Sequence, residues 1–300
     1  FGGATTGYAS TGWGLAAPAG LGIGVQLRLW SQSNFGENLI FCARGGAMNF
    51  WAVDPTPSTF DRGQVIVAGG SITQKNYATG SGTVSIPIDV TCPSQVNIVM
   101  VSDSTRFTIA LGANDPTGVV STTTLDPLMV RWSDQANADQ WIPMLTNQSG
   151  EYALSNGSFI MGARATRQEI LVWTDSALYS MQYIGAPYVW GFQMLMDNTS
   201  IMSPNCMITV NNITYWMGKD RFYMYSGRVE VLPCALRQYI FADINQAQAY
   251  QVFAGANEAY NEVWWFYVDN SSGGTAVNKY VIYNYLDKVW YYGTMARSAW

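Results

Sequence analysis

The chain has 300 residues and a net charge of −5, with charged residues at only 12% and aromatic residues at 14%. It contains no histidine, which excludes Ser-His-Asp and Cys-His nucleophiles, HExxH zinc sites and any imidazole base, and leaves carboxylate, tyrosine and lysine chemistry. Its fifteen basic residues form no run, which argues against a protein that grips nucleic acid by neutralising phosphates.

Charge this far below the roughly 25% of ordinary soluble domains, with so many Trp and Tyr, points to a surface covered by other subunits, the alternative being an extracellular β protein with a polar Ser/Thr/Asn surface. Three hundred residues are enough for one large all-β domain. No apolar stretch reaches membrane-spanning length. Gly14 to Val25 is apolar, but it is Gly-rich, holds Pro18 and has no basic flank, so neither a signal peptide nor membrane insertion is expected.

Residues 1–24 are dominated by Gly, Ala, Thr and Ser. They read as an extended arm that orders on a neighbouring subunit or adaptor. Residues 25–300 read as a single β domain. Leu39–Cys42 and Ala47–Trp51 flank Gly45-Gly46, a hairpin signal. The stretch from Asp54 to Gln74 is turn-rich, with one strand at Gln64–Ala68. Another strand is expected at Val84–Val90. Val96–Val101 and Arg106–Ala110 form a second hairpin around Ser102-Asp103-Ser104, and Ile170–Thr174 with Ala177–Tyr183 a third around Asp175-Ser176.

The clearest unit runs from Met207 to Leu232. Turn residues at Asn211-Asn212, Gly218-Lys219-Asp220 and Ser226-Gly227 separate four short aromatic strands, one propeller blade's worth of chain. A further unit is expected at Ala249–Ala254, Glu262–Val268, Lys279–Asn284 and Val289–Tyr292, with a short helix or loop at Asp243–Tyr250 before it. No long amphipathic helix is evident. Hairpin centres near positions 45, 103, 175, 219 and 273 predict a β-propeller-like array of small antiparallel sheets with five to six blades; a β-sandwich is the alternative.

Candidate chemistry is sparse. Ser133–Trp141 has the outline of the Asp-box turn of sialidase propellers, but it lacks the glycine and occurs once. Asp134 and Asn137 are read as Asx-turn residues, with Trp132 and Trp141 packed under the loop. Asp175, Asp220, Asp243, Glu258 and Glu262 sit mostly in turns and are not read as a glycosidase pair. Trp264-Trp265 and Tyr291-Tyr292 could offer a sugar-stacking platform. Adjacent strand residues point to opposite faces, however, so packing is the preferred use. Trp132, Trp141, Trp173, Trp216, Trp264 and Trp265 are therefore expected to be a structural aromatic framework.

Cys42, Cys92, Cys206 and Cys234 form no CxxC pair, so no metal site is expected. Two disulfides are formally open to them, in three pairings; buried reduced thiols are preferred. No catalytic residue, metal or cofactor is expected. Arg131, Arg164, Arg167 and Arg237 are basic residues that DNA could meet, and none is assigned that role.

Several segments together resemble the propeller-bearing tail nozzle (tail tubular, or tail hub) proteins of short-tailed bacteriophages. They are Asn34–Ile40, Val130–Asp134, Ile170–Tyr179, Tyr215–Gly218 and Asn261–Tyr267. The resemblance extends from Trp30 to Trp300 and is weak between about 55 and 90. It implies a non-enzymatic virion protein, assembled in the host cytoplasm into a six-fold homo-oligomeric ring of the tail below the portal and adaptor. DNA would pass through such a ring without specific binding, and the ring would help retain the packaged genome. Family members are generally longer, so the nozzle-tip role is carried less well than the ring. The alternative from the residues is a carbohydrate-binding or glycan-degrading propeller.

Overall fold

The computed structural model describes residues 28–53, 62–76, 78–114, 124–270 and 275–300. The arm read at residues 1–24 lies outside them. Five four-stranded antiparallel sheets and one two-stranded sheet are present among the described residues. In every four-stranded sheet the strands lie side by side in chain order, the up-and-down connectivity of a propeller blade.

Sheet 1 holds β1 (Trp30–Phe35), β2 (Asn38–Ala43), β3 (Met48–Trp51) and β4 (Gln64–Val65). A separate hairpin follows, β5 (Ser71–Lys75) and β6 (Thr83–Pro87). Sheet 2 holds β7 (Val96–Val101), β8 (Thr108–Asn114), β9 (Leu125–Trp132) and β10 (Gly150–Ala153). Sheet 3 holds β11 (Ile160–Ala165), β12 (Ile170–Thr174), β13 (Ala177–Gly185) and β14 (Val189–Asp197). Sheet 4 holds β15 (Met207–Val210), β16 (Ile213–Met217), β17 (Phe222–Tyr225) and β18 (Val229–Leu232). The helix α1 (Arg237–Asp243) leads to sheet 5, with β19 (Phe253–Asn257), β20 (Glu262–Tyr267), β21 (Lys279–Asn284) and β22 (Val289–Thr294).

Middle strands are buried on both faces. Every residue of β8 and β12 is buried, because each sheet is covered by its neighbours on both sides. One apolar core joins sheets 1 and 2 around Ile40, Met48, Val99 and Trp141. A second joins sheets 2 and 3 around Phe107, Trp132, Val172 and Trp190. The third and largest joins sheets 3, 4 and 5 around Trp173, Trp216, Phe222 and Trp265. The array is thus held in chain order by shared cores, and the all-β, propeller-like reading stands.

The local differences from expectation have physical causes. β5 falls within the stretch that reads as turn-rich, because it contains a single apolar residue, Ile72, too little for an alternation signal. The second hairpin resumes at Thr108: Arg106 has φ 56° and donates its N–H to Ser102 O at 2.7 Å, closing a longer turn. The helix near Asp243 begins earlier than expected, at Arg237, and a 3-10 turn follows at Gln246–Gln251. That turn displaces the first strand of sheet 5 from Ala249–Ala254 to Phe253–Asn257.

Candidate functional site

The first strands of the sheets converge on the middle of the array. There β1, β7, β11 and the Pro204-Asn205 approach to β15 enclose a cavity of about 490 Å³. The backbone geometry explains the composition of its walls. On β7, Val99 N–H donates to Ser31 Oγ at 2.9 Å and Val101 N–H to Ser33 Oγ at 3.1 Å. The serines of β1 therefore supply side-chain oxygens where a strand edge meets no backbone partner, and buried N–H groups require such partners.

Arg44, just past β2, spans this middle. Its guanidinium donates to Ile160 O at 2.6 Å and Met161 O at 3.0 Å, tying sheet 1 directly to sheet 3. Burial pulls its pKa below the ordinary arginine value, and Tyr250 and Cys42 work in the opposite direction. Tyr250 itself touches Met161 Sδ at 3.8 Å through its hydroxyl. The approach to sheet 5 thus meets the same point.

Two polar clusters lie between elements farther out. Glu169 accepts from Tyr225 Oη at 2.7 Å through one oxygen. Its other oxygen accepts from Ser180 Oγ and, at 3.3 Å, from Gln182 Nε2. Burial first, and then the bond to Glu169, pushes the Tyr225 phenol up. In the second cluster Lys279 lies 2.9 Å from Asp243 and 3.2 Å from Asp269, and Tyr267 Oη donates to Asp243 at 3.1 Å. Each group in both clusters is engaged by another, which suits fastening sheet 3 to sheet 4 and α1 to sheet 5 rather than turnover.

Five of the six tryptophans named from the sequence lie in the apolar cores. Trp132, Trp141, Trp173, Trp216 and Trp265 are buried. Trp141 donates to Ala138 O, Trp132 to Gln148 O and Trp265 to Cys206 O. Trp264 is half-buried on the opposite face of β20, against Tyr280 and Trp300. Asn137 forms the expected Asx contact, accepting from Asp139 N. Asp134 instead accepts from Gln148 N at 2.8 Å, pinning the approach to β10.

The scattered carboxylates stay apart in role. Asp175 accepts from Ser158 N, Asp220 pairs with Arg221 and Arg237, and Glu262 accepts from Trp264 Nε1. Of the four arginines, Arg131 is buried and pairs with Glu151, Arg237 is held by Asp220, Arg164 lines the central cavity and Arg167 is exposed. The four cysteines are free thiols. Tyr291 and Tyr292 stand about half exposed on β22, and Tyr292 lies 4.9 Å from Tyr239 of α1. Sequence reasoning missed Arg44 and the Glu169–Tyr225 pair, whose partners lie far away along the chain.

No family model matches the chain, and no curated protein matches it. Among solved structures it is similar to the extracellular domain of BT4673 from B. thetaiotaomicron, with 9% identity over 92% of this chain and 29% of that one, at a TM-score of 0.45. It is similar to Kluyveromyces lactis Hsv2 at 10% identity, over 90% of this chain and 64% of Hsv2, at a TM-score of 0.42. A functionally unknown protein from Desulfotomaculum acetoxidans gives 10% identity, coverage of 89% and 85%, and a TM-score of 0.39. The chain spans less than two thirds of the first two. These likenesses are too slight to carry function, and the fold rests on the strand pairing itself.

Proposed function

We propose that the chain is a structural component of the tail of a short-tailed bacteriophage. In this reading it forms a homo-oligomeric ring, six-fold as the resemblance to nozzle proteins implies, below a portal and adaptor. The ring is a passage for DNA that does not bind it specifically, and it helps retain the packaged genome. No catalytic role is assigned.

One observation carries most of the support: large apolar side chains stand in solvent on the outer parts of the array. The β13–β14 hairpin presents Tyr183, Ile184 and Tyr188, the last 76% exposed. Sheet 5 and α1 add Tyr239, Leu286, Tyr291 and Tyr292. Apolar surface of this kind is covered in an assembly. The low charge of the chain suits a wall past which phosphates slide without being held.

The test is electron microscopy of source particles decorated with antibody against this chain. Label at the tail, with a six-fold ring in end-on averages, is the expected result. Particles without label, together with a purified chain that remains monomeric by mass photometry, would remove the proposal.

A further inference from the structure

We infer that the central cavity is a binding site for a neutral saccharide unit. Three strands, a turn and a loop bring five polar residues to its wall: Gln32 from β1, Asn97 from β7, Asp103 from the β7–β8 turn, Arg164 from β11 and Asn205 before β15. None of the five makes a side-chain hydrogen bond or ion pair among the described residues. This contrasts with the Glu169 and Asp243 clusters, where polar groups satisfy one another. Their hydrogen-bonding groups are therefore uncommitted within the chain and free to meet a ligand at the cavity.

The kinds of group decide the ligand class. Three amides each donate and accept, one guanidinium donates and one carboxylate accepts. Sugar hydroxyls also donate and accept, so each finds a complement here. Of the two cations at the wall, Arg44 is committed to the Ile160 and Met161 carbonyls, so a polyanion such as a nucleic-acid backbone would meet Arg164 alone with the Asp103 carboxylate in the same lining, which is poor chemistry for phosphate. An aromatic wall completes the site. Trp30 lines the cavity between Arg28, 5.2 Å from its ring centroid, and the Phe41 ring at 6.2 Å; it is 55% exposed, and that open part of the indole is where the C–H face of a pyranose would stack. The volume of about 490 Å³ falls within the roughly 300–1,000 Å³ of small-molecule sites.

This site is independent of the tail proposal, since a ring subunit and a free propeller could each carry it. The experiment is saturation-transfer NMR on the full chain with glucose, galactose, mannose, rhamnose, N-acetylglucosamine and maltose, and with inorganic phosphate as the anion control. Transfer from at least one sugar is expected, with binding weakened about tenfold or more (about 1.4 kcal/mol per tenfold) in Gln32→Ala and Arg164→Ala. Both positions are exposed, so the unfolding midpoint of each variant should match the parent. Val231→Ala, on β18 and outside the cavity lining, should leave binding unchanged. No transfer from any sugar, equal transfer in the cavity variants, or binding of phosphate in place of sugars would each overturn the inference.

Discussion

Arg44 donates a hydrogen bond to the carbonyl oxygen of Met161 at 3.0 Å, across 117 positions of sequence. The same guanidinium reaches Ile160 O, so one side chain joins the first sheet of the array to the third. Two half-buried carbonyl groups depend on it. Arg44→Met keeps an unbranched stem out to the position of Nε and removes the guanidinium donors. Leaving buried acceptors unsatisfied costs about 1–3 kcal/mol, and the urea midpoint should fall accordingly with little change in slope. Arg44→Lys should recover part of the loss. An unchanged midpoint in Arg44→Met would mean that the bridge contributes nothing.

Trp264 and Trp265 are neighbours with different duties. Trp265 is fully buried in the largest core and donates to Cys206 O at 3.0 Å. Truncation to Ala should cost about 3–5 kcal/mol. Trp264 packs on the other face, where Trp300 closes over it and over Gly255; a Cβ at Gly255 would collide with the Trp300 ring. Trp264→Ala should cost clearly less than Trp265→Ala in the same chemical denaturation. Equal losses would contradict the two-faced packing.

Acid sensitivity should trace to Asp89. Burial works against ionisation of this carboxyl, but the N–H groups of Thr91 and Ile142 at 2.9 Å and Trp141 at 3.3 Å outweigh it and hold the pKa below the usual range. A folded pKa below the unfolded one contributes stability that is present above the unfolded value, about 3.9. That stability is lost as pH falls through the folded value. Asp89→Asn should lower stability at neutral pH and flatten the acid limb of the stability–pH curve. Parallel acid limbs for parent and variant would contradict the assignment.

The alkaline limb has the opposite sign. Tyr215 is pushed up to about 12, first by burial and then by the neighbouring Tyr283 and Tyr285. Burial and then the Glu169 contact push Tyr225 up as well. Raised folded values contribute stability that is complete below the unfolded pKa, about 10, and lost as pH rises through the folded value. Ultraviolet titration should therefore show Tyr215 and Tyr225 ionising only above the unfolded value or with unfolding. Tyr225→Phe should remove one late-titrating phenol and cost about 1.5–3 kcal/mol, the range for a hydrogen bond to a charged group. A single titration step near the unfolded value would rule out this account.

Thiol accessibility is a direct check on the core. Cys42, Cys92 and Cys206 are buried, Cys234 is half-buried, and all four are free. Burial pushes Cys234 up to about 11, which keeps its thiolate fraction small at neutral pH. Ellman's reagent should react slowly with one thiol at most in the native protein and with four after denaturation. Rapid native labelling of two or more would show that the sheets do not enclose these residues.

The residue pattern alone determined that the chain folds into small antiparallel sheets, and it placed sheet 4 almost residue by residue. The reason is local. Asn211 and Asn212 both take positive φ, 50° and 65°, between Val210 and Ile213, which pair directly. That tight turn is available to few residue types, so it can be read from the chain.

Only the tertiary structure decided which distant side chains meet. Arg44 reaches Met161, Glu169 receives Tyr225, and Gln32, Asn97, Arg164 and Asn205 share one cavity. Strand periodicity tells which face of its own sheet a residue occupies, but not which face of another sheet will cover it. That is set by the order and angle in which whole sheets stack on shared cores. The weakly patterned β5 and the shifted start of β19 belong with these, since packing rather than local alternation holds them.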